Sequence, residues 1–559
     1  MRAKFSTLVK VLGFAFVVCF AFWRVRYGFA STDETYAIAF PYRLCFGDAL
    51  IADEWGLQQF AGLIVYPFVS LYLRMFHSTE GIVLAFRYLF VSVMVAAGLF
   101  QYSRWRRVSR FGAYLGLLFF VAYAPFGIMT LAYNNMDVIF GALTITLYGT
   151  YDRRRFWPLF FAGMTFSATV MCCPQLLLGY GAYTIYALIA SDRRKEWVLI
   201  TSGACVVGVV VLAFVFSRAT LQDVIAALPL MLEDPEHPQH GIAFLCCRWF
   251  KCAIAQQGAW SALCYGVTGC GFLWLVIKRV RTGIVHSQLA HSFFSIMLLV
   301  GLALAVFKTR SPNSDYLLFP TCTMLFFLAW FVAEPELRHG IFRALIPAYV
   351  LGFCTLLGCN TGHVRISIVM ACVIVPALAY WMRVYQLQIT SQHNRIVKSI
   401  PIVLFALVCA NVYFRYCYVF SEVPISRMDT WVMQGPEKGV KTIAHRNAQY
   451  ERLLETLRQI LPKDEMDTVC FVHANTTAYL AAQRRYGAYT AWVTGSGHAS
   501  FARLKKYYDL HPDRMPGIVL FSREDSDQHE DFRSIGFRDG KPVPYGSFMT
   551  SVANGEFCL

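Results

Sequence analysis

Across 559 residues the chain is 57% hydrophobic and 16% aromatic, with 15% charged residues and a mean hydropathy of +0.47. A soluble chain of this length carries far more charge, so the composition excludes an ordinary globular enzyme. The formal net charge of +16 does not mark a nucleic-acid binder, because Lys and Arg cluster between apolar runs. In that position they orient membrane spans and meet anionic lipid.

The amino terminus, MRAKFSTLVKVLGFAFVVCFAFW, has basic residues before an apolar stretch but no small-x-small cleavage site after it, and it reads as a retained first helix. A helix crosses the hydrocarbon with roughly 20 apolar residues. Such runs recur almost to residue 420 and predict about thirteen spans, centred near Phe16, Val93, Phe120, Leu143, Thr165, Tyr183, Val209, Val267, Leu299, Phe326, Val350, Ile374 and Leu407. Basic clusters at Arg104/Arg106/Arg107, Arg153/Arg154/Arg155, Arg193/Arg194/Lys195, Lys278/Arg279/Arg281 and Arg395/Lys398 fall on every second connection. Placing them in the cytoplasm puts the amino terminus there too and leaves the carboxyl-terminal tail outside.

The outer connections are the long ones. One runs over about 27–80 and is rich in aromatic and acidic residues; another covers about 220–257 and contains LEDPEHPQH. His237 and His240 in that stretch read as loop residues, since two histidines make a weak metal signal. The spans around Cys172-Cys173-Pro174 are joined by almost no loop. The tail alternates patterns: a helix from Lys441 to Leu461, a strand from Asp467 to His473, helices near Thr476–Arg485 and Ser500–Asp509, and a strand at Gly517–Ser522. The expected fold is therefore an α-helical polytopic membrane protein of about 13 transmembrane helices (1–420) with a small C-terminal extracytoplasmic α/β domain (421–559). Most of the eighteen cysteines sit inside apolar segments, where they act as small hydrophobes. In the tail only Cys470 and Cys558 are present, so one disulfide is open to it.

Three outer stretches carry candidate chemistry. Ser31-Thr32-Asp33-Glu34-Thr35-Tyr36 places two adjacent carboxylates just beyond the first span, although Ser31 and Glu34 also fit a helix capping box. Asp137, in Tyr133-Asn134-Asn135-Met136-Asp137, begins a span on the same face; Asn134 or Asn135 would cap that helix and Asp137 complement its dipole. Ionisable groups beside a bilayer are costly and often mark a reaction or transport path. The third stretch is Ser311-Pro312-Asn313-Ser314-Asp315-Tyr316-Leu317-Leu318-Phe319-Pro320, with Lys308 and Arg310 before it, and it also reads as a plain helix entry with interfacial anchors.

Together these features resemble the GT-C superfamily of polyprenyl-phosphate-sugar-dependent glycosyltransferases, in the branch of protein O-mannosyltransferases and the lipid A aminoarabinose transferase. Asp33-Glu34 matches that family's acidic pair at the start of the first outer loop, Asp137 its second acid, and Pro174 its tight outer turn. Tyr316-Leu317-Leu318-Phe319-Pro320 matches its Tyr-Leu-Leu-Pro-like element loosely. Cys173 stands where a basic residue is common.

The resemblance implies a polyprenyl-phosphate sugar donor held between spans, and a lipid, glycan or protein hydroxyl as acceptor. Asp33 is then the candidate base, and direct displacement of the lipid phosphate predicts inversion. Glu34 and Asp137 would orient the sugar or acceptor, or hold a divalent cation. Arg24, Arg26, Arg248, Lys251, Lys308 and Arg310, with Tyr36 and Tyr316, are the candidates for binding the donor and its phosphate. Each basic residue also reads as snorkelling toward headgroups. A lipid or polysaccharide transporter, a non-catalytic scaffold and a related polysaccharide ligase are the competing readings; a transporter of this kind often shows two related halves, which this sequence lacks.

Overall fold

A computed structural model describes residues 2–29, 32–152, 155–190, 193–233, 334–356, 368–389, 395–417, 419, 423–461, 468–472, 476–493, 498–524 and 530–536, with isolated positions between 243 and 329. The described part is mainly helical. The first ten helices are α1 Arg2–Arg24, α2 Thr32–Leu44, α3 Gln59–Phe76, α4 Ile82–Trp105, α5 Arg110–Val121, α6 Tyr133–Gly149, α7 Trp157–Cys172, α8 Leu177–Ile189, α9 Arg194–Phe216 and α10 Leu221–Leu232. Then come α11 Pro335–Leu356, α12 Ile374–Ile389 and α13 Arg395–Cys417. The expected spans near Val267, Leu299 and Phe326 lie largely outside the described residues.

Among the described residues, α3, α4 and α9 are long and apolar enough to cross a membrane. α9 exposes Val209, Val210 and Leu212, as a helix facing lipid does. With no hydrophobic drive between helices in lipid, close backbone packing matters more. Gly112 and Gly116, four residues apart on α5, supply it: a Cβ at Gly112 would lie 2.2 Å from the Leu378 carbonyl oxygen of α12, and one at Gly116 2.6 Å from Val375 Cα.

α3 does not follow from its composition. Just before it, Trp55 N–H donates to the Tyr489 carbonyl (2.8 Å), and just after it Thr79 Oγ1 donates to the Leu480 carbonyl (2.7 Å). Both ends thus meet the same stretch of the tail, so α3 lies on the tail's side as a surface helix.

The tail holds α14 Ala444–Ile460, α15 Thr476–Ala482 and α16 His498–Leu510, with short paired strands β1 Thr430–Trp431 and β2 Lys441–Thr442. Its main sheet runs β4-β3-β5-β6. β3 (Thr468–Val472) pairs in parallel with β4 (Arg485–Tyr486) and β5 (Ile518–Glu524), and β6 (Glu530–Gly536) closes the edge antiparallel to β5. Cys470 is a buried free thiol, pushed up to about 12 by burial, while Cys558 lies outside the described residues.

This tail docks on α2 and the segment after it. Tyr486 O–H donates to the Ala39 carbonyl (2.7 Å), and the Thr35 and Thr476 hydroxyls lie 2.5 Å apart. Trp55 is buried against Tyr489 and Tyr507, at ring separations of 5.7 and 5.4 Å. Beneath the tail lies a closed ionic cluster. Arg43, 0% exposed, donates from Nε to Asp48 (2.5 Å), from Nη1 to Glu54 (3.1 Å) and from Nη2 to Tyr507 O–H (3.0 Å). Arg514 donates to the other Asp48 oxygen at 2.7 Å.

Buried charges of this density persist only when every one has partners. Burial alone would lower the Arg43 guanidinium, but Tyr507, Asp48, Glu54 and Asp53 raise it well above its ordinary value. Burial pushes the Glu54 carboxyl up, and Arg43, Thr490 and the Gly56 N–H offset only part of that.

Candidate functional site

The opposite end of α2 carries the acidic pair. Asp33 is exposed and Glu34 is buried, although they are adjacent in the first turn. The division comes from α4. Arg87 lies one turn into that helix and donates from Nε and Nη2 to the two Glu34 oxygens at 2.7 and 2.8 Å. Its Nη1 donates to the Val25 and Gly28 carbonyls at 2.9 and 3.0 Å, where α1 has ended. A single guanidinium therefore ties α1, α2 and α4 together, and the planar fork is what makes the two-oxygen grip possible. The expected capping partner of Glu34, Ser31, lies outside the described residues.

Beside Glu34 is a small cleft, partly open to solvent, lined by Arg24, Tyr27, Phe29, Glu34, Arg87, residues 127–129 and Val419; Asp33 is not among its lining residues. A neighbouring small cleft shares Arg24, Gly127 and Met129 with it and adds Phe90, Tyr123, Arg415 and Tyr416. Arg24, Arg87 and Arg415 are all at most 7% exposed. Arg24 Nη1 donates to the Tyr27 carbonyl at 2.6 Å, and Arg415 stacks over the Tyr123 ring at 4.6 Å. Two small adjoining clefts thus set buried guanidiniums beside aromatic rings, a surrounding that favours a negatively charged group.

The other sequence candidates fall in different places. Arg26 is exposed and donates to Tyr88 O–H at 2.7 Å, so it lies beside the cleft without lining it. Tyr36 is buried in the interface between α2 and the tail, edge-on to Trp492 at 5.6 Å. Asp137 is 1% exposed within α6 and lines neither cleft; Cys372 Sγ lies 3.8 Å from its backbone carbonyl.

The capping expected at the start of α6 is corrected. The N-cap is Ala132, with no side-chain bond, and Asn135 turns back to donate to the Ile128 and Thr130 carbonyls at 2.8 and 2.5 Å. That bond pair braces the loop whose Gly127 and Met129 wall both clefts. The turn after α7 is a short 3-10 helix, Pro174–Leu176, with proline at its first position. Arg248, Lys251, Lys308, Arg310 and Tyr316 lie outside the described residues, as do His237 and His240.

A divalent cation finds no cage in this arrangement. Glu34 gives both oxygens to Arg87, Asp137 lines neither cleft, and among the described residues no three His, Cys, Asp or Glu side chains gather as a metal site needs. Reasoning from sequence missed Arg87 and Arg415. Each is an arginine within a mainly apolar helix, and that was the available signal, since such a charge marks a functional position by default.

No family model and no curated protein sequence matches the chain. Among solved structures it is similar to ArnT from Cupriavidus metallidurans in the apo state, at 12% identity over 93% of this chain and 94% of that one, with a TM-score of 0.39. Neither family nor activity follows from a likeness of that size.

Proposed function

We propose that the protein is a membrane glycosyltransferase that moves a sugar from a polyprenyl-phosphate donor to an acceptor hydroxyl. The observation that carries this reading is the split of the acidic pair, with Glu34 bordering an arginine-lined cleft and Asp33 exposed next to it in the first turn of α2. Glu34 is held by Arg87, and Asp33 beside it stays exposed. In this scheme Asp33 is the base that removes the acceptor proton as the hydroxyl oxygen attacks the anomeric carbon. The bond to the donor phosphate breaks with inversion. The departing phosphate leaves with its own charge and needs guanidinium groups more than a general acid. Arg24 and Arg415 supply that positive charge, and the aromatic walls of the second cleft meet the first part of the lipid. Glu34 acts as a positioning residue by fixing the first turn of α2.

The test compares the full-length protein with Asp33→Asn, matched for folding in detergent. Each is given radiolabelled polyprenyl-phosphate sugars and a membrane extract as acceptor source. Transfer by the wild type and loss in the variant are expected. Transfer by both would remove Asp33 from the mechanism. Absence of transfer from every donor, with lipid binding retained, would overturn the enzyme reading.

A further inference from the structure

α10 is a short helix that leaves four large apolar side chains uncovered in a single stripe. Leu221, Ile225, Leu228 and Leu232 follow the i, i+4, i+7, i+11 spacing of one helix face and are 61%, 63%, 42% and 60% exposed. The adjoining faces are occupied. Ala227 and Met231 are buried in the cluster around Trp55, and Gln59 Nε2 lies 2.9 Å from Met231 Sδ. Toward the tail, Arg503 Nη2 donates to the Leu230 carbonyl at 2.8 Å, and Lys506 pairs with Glu233 at 2.8 Å. The helix is therefore buried on one face by Ala227 and Met231, carries the exposed polar groups Gln222, Asp223 and Glu233 on a second, and is exposed and apolar along the stripe. Arg503 and Lys506 pin it to the tail.

Its place in the chain says what lies against the apolar side. α9, a helix fit to cross a membrane, ends at Phe216, itself 48% exposed, and α10 begins five residues later. Between them the chain turns at a fixed point. Arg218 donates to the Leu44 and Asp48 carbonyls (2.7 and 3.0 Å) and to Tyr66 O–H (3.1 Å), and Thr220 and Asp223 close a capping box. The exposed stripe of α10 thus continues the exposed apolar surface of α9 at the membrane end nearest the tail.

We infer that α10 lies in the membrane interface, with Leu221, Ile225, Leu228 and Leu232 seated in the lipid leaflet on the tail's side. A helix with one apolar stripe and a polar opposite face takes this position, its apolar side buried roughly 5–10 Å into the headgroup–acyl boundary. The partner is bulk lipid. Through Arg218, Arg503 and Lys506 the helix would also hold the tail and the α2 segment at a fixed height over the bilayer.

The experiment introduces p-benzoylphenylalanine singly at Ile225, Leu228 and Gln222 in the full chain. Each variant is reconstituted in nanodiscs of phosphatidylcholine and phosphatidylglycerol and irradiated, and adducts are read by mass spectrometry. Lipid adducts at Ile225 and Leu228 are expected at about tenfold the yield at Gln222, which faces solvent. Adducts to other residues of this chain would show that protein covers the stripe and overturn the inference. Equal lipid yields at all three positions would overturn the orientation, and absence of lipid adducts at Ile225 and Leu228 would overturn the placement. None of these readouts depends on sugar transfer.

Discussion

The two ends of α2 bury charge in opposite ways. At its carboxyl-terminal end Arg43, Asp48 and Glu54 are 0% exposed, and all three guanidinium nitrogens of Arg43 find partners. At its amino-terminal end one carboxylate, Glu34, is similarly consumed, but the one beside it is exposed and the buried guanidiniums border open clefts. A closed cluster can dock one part of a chain on another. Chemistry needs a charge that a substrate can reach, and of the two ends the amino-terminal one exposes a carboxylate. On the proposed mechanism the closed end fixes the helix that bears the base.

The largest effect expected from breaking the closed end is that of Asp48→Ala. It leaves two guanidiniums buried without their shared acceptor, at a cost of about 3–5 kcal/mol. Thermal unfolding in detergent should show a large drop in Tm or no folded protein; a Tm within a degree or two of wild type would mean that the cluster does not dock the tail. Breaking the open end should look different. Asp33→Asn should reduce sugar transfer by about 10²–10⁴-fold with Tm unchanged, because an exposed base costs little stability to remove.

Glu34→Gln tests whether a positioning residue behaves like either extreme. It keeps the shape but exchanges a charged grip on Arg87 for a neutral one, which should cost about 1–3 kcal/mol in stability and lower transfer less than Asp33→Asn does. A double-mutant cycle with Arg87→Met separates their coupling from its surroundings. Tyr507→Phe, removing the hydroxyl that accepts from the buried Arg43 guanidinium, should cost about 1.5–3 kcal/mol by the same unfolding measurement.

The smallest expected effect is a pH dependence at the closed end. With its carboxyl raised above the ordinary 4.5, folded Glu54 holds a proton more tightly than the unfolded chain does. Its contribution to stability is then greatest at low pH and declines as pH rises from about 4.5 through the raised value. The Tm of wild type relative to Glu54→Gln should fall over that rise; a constant difference would mean that Glu54 is not desolvated.

Much of the local structure was legible. The amphipathic run at Lys441 to Leu461 holds α14, the strand read over Asp467–His473 spans Thr468–Val472, and the Cys173-Pro174 turn is a single 3-10 helix. The closing strand β6 was not read. Nor did sequence divide Asp33 from Glu34, because the divider, Arg87, lies 53 residues further along. Arg43, Asp48 and Glu54 were not singled out either: they lie within 11 residues of one another, but Tyr507 and Arg514, which close the cluster over them, lie 464 and 466 residues from Arg43 and Asp48. Periodicity reports which face of an element is apolar and is silent on which distant residue meets it. α3 is the complementary case: its length and composition suit a span, but it lies in the stretch 27–80 read as an outer connection, and its two hydrogen-bonded ends agree with that reading.

The bond from Arg43 to Tyr507 joins residues 464 positions apart. Synthesis proceeds at roughly 5–20 residues per second, so the first outer segment waits on the order of tens of seconds for its partner to be made. Until then the acids and arginines around Asp48 stay hydrated, and α2 lacks its far anchor. The helix that bears Asp33 is thus among the earliest parts translated and among the last to settle. A ribosome that stops short of residue 507 leaves α2 held at its Glu34 end by Arg87 and without the anchor at its Arg43 end.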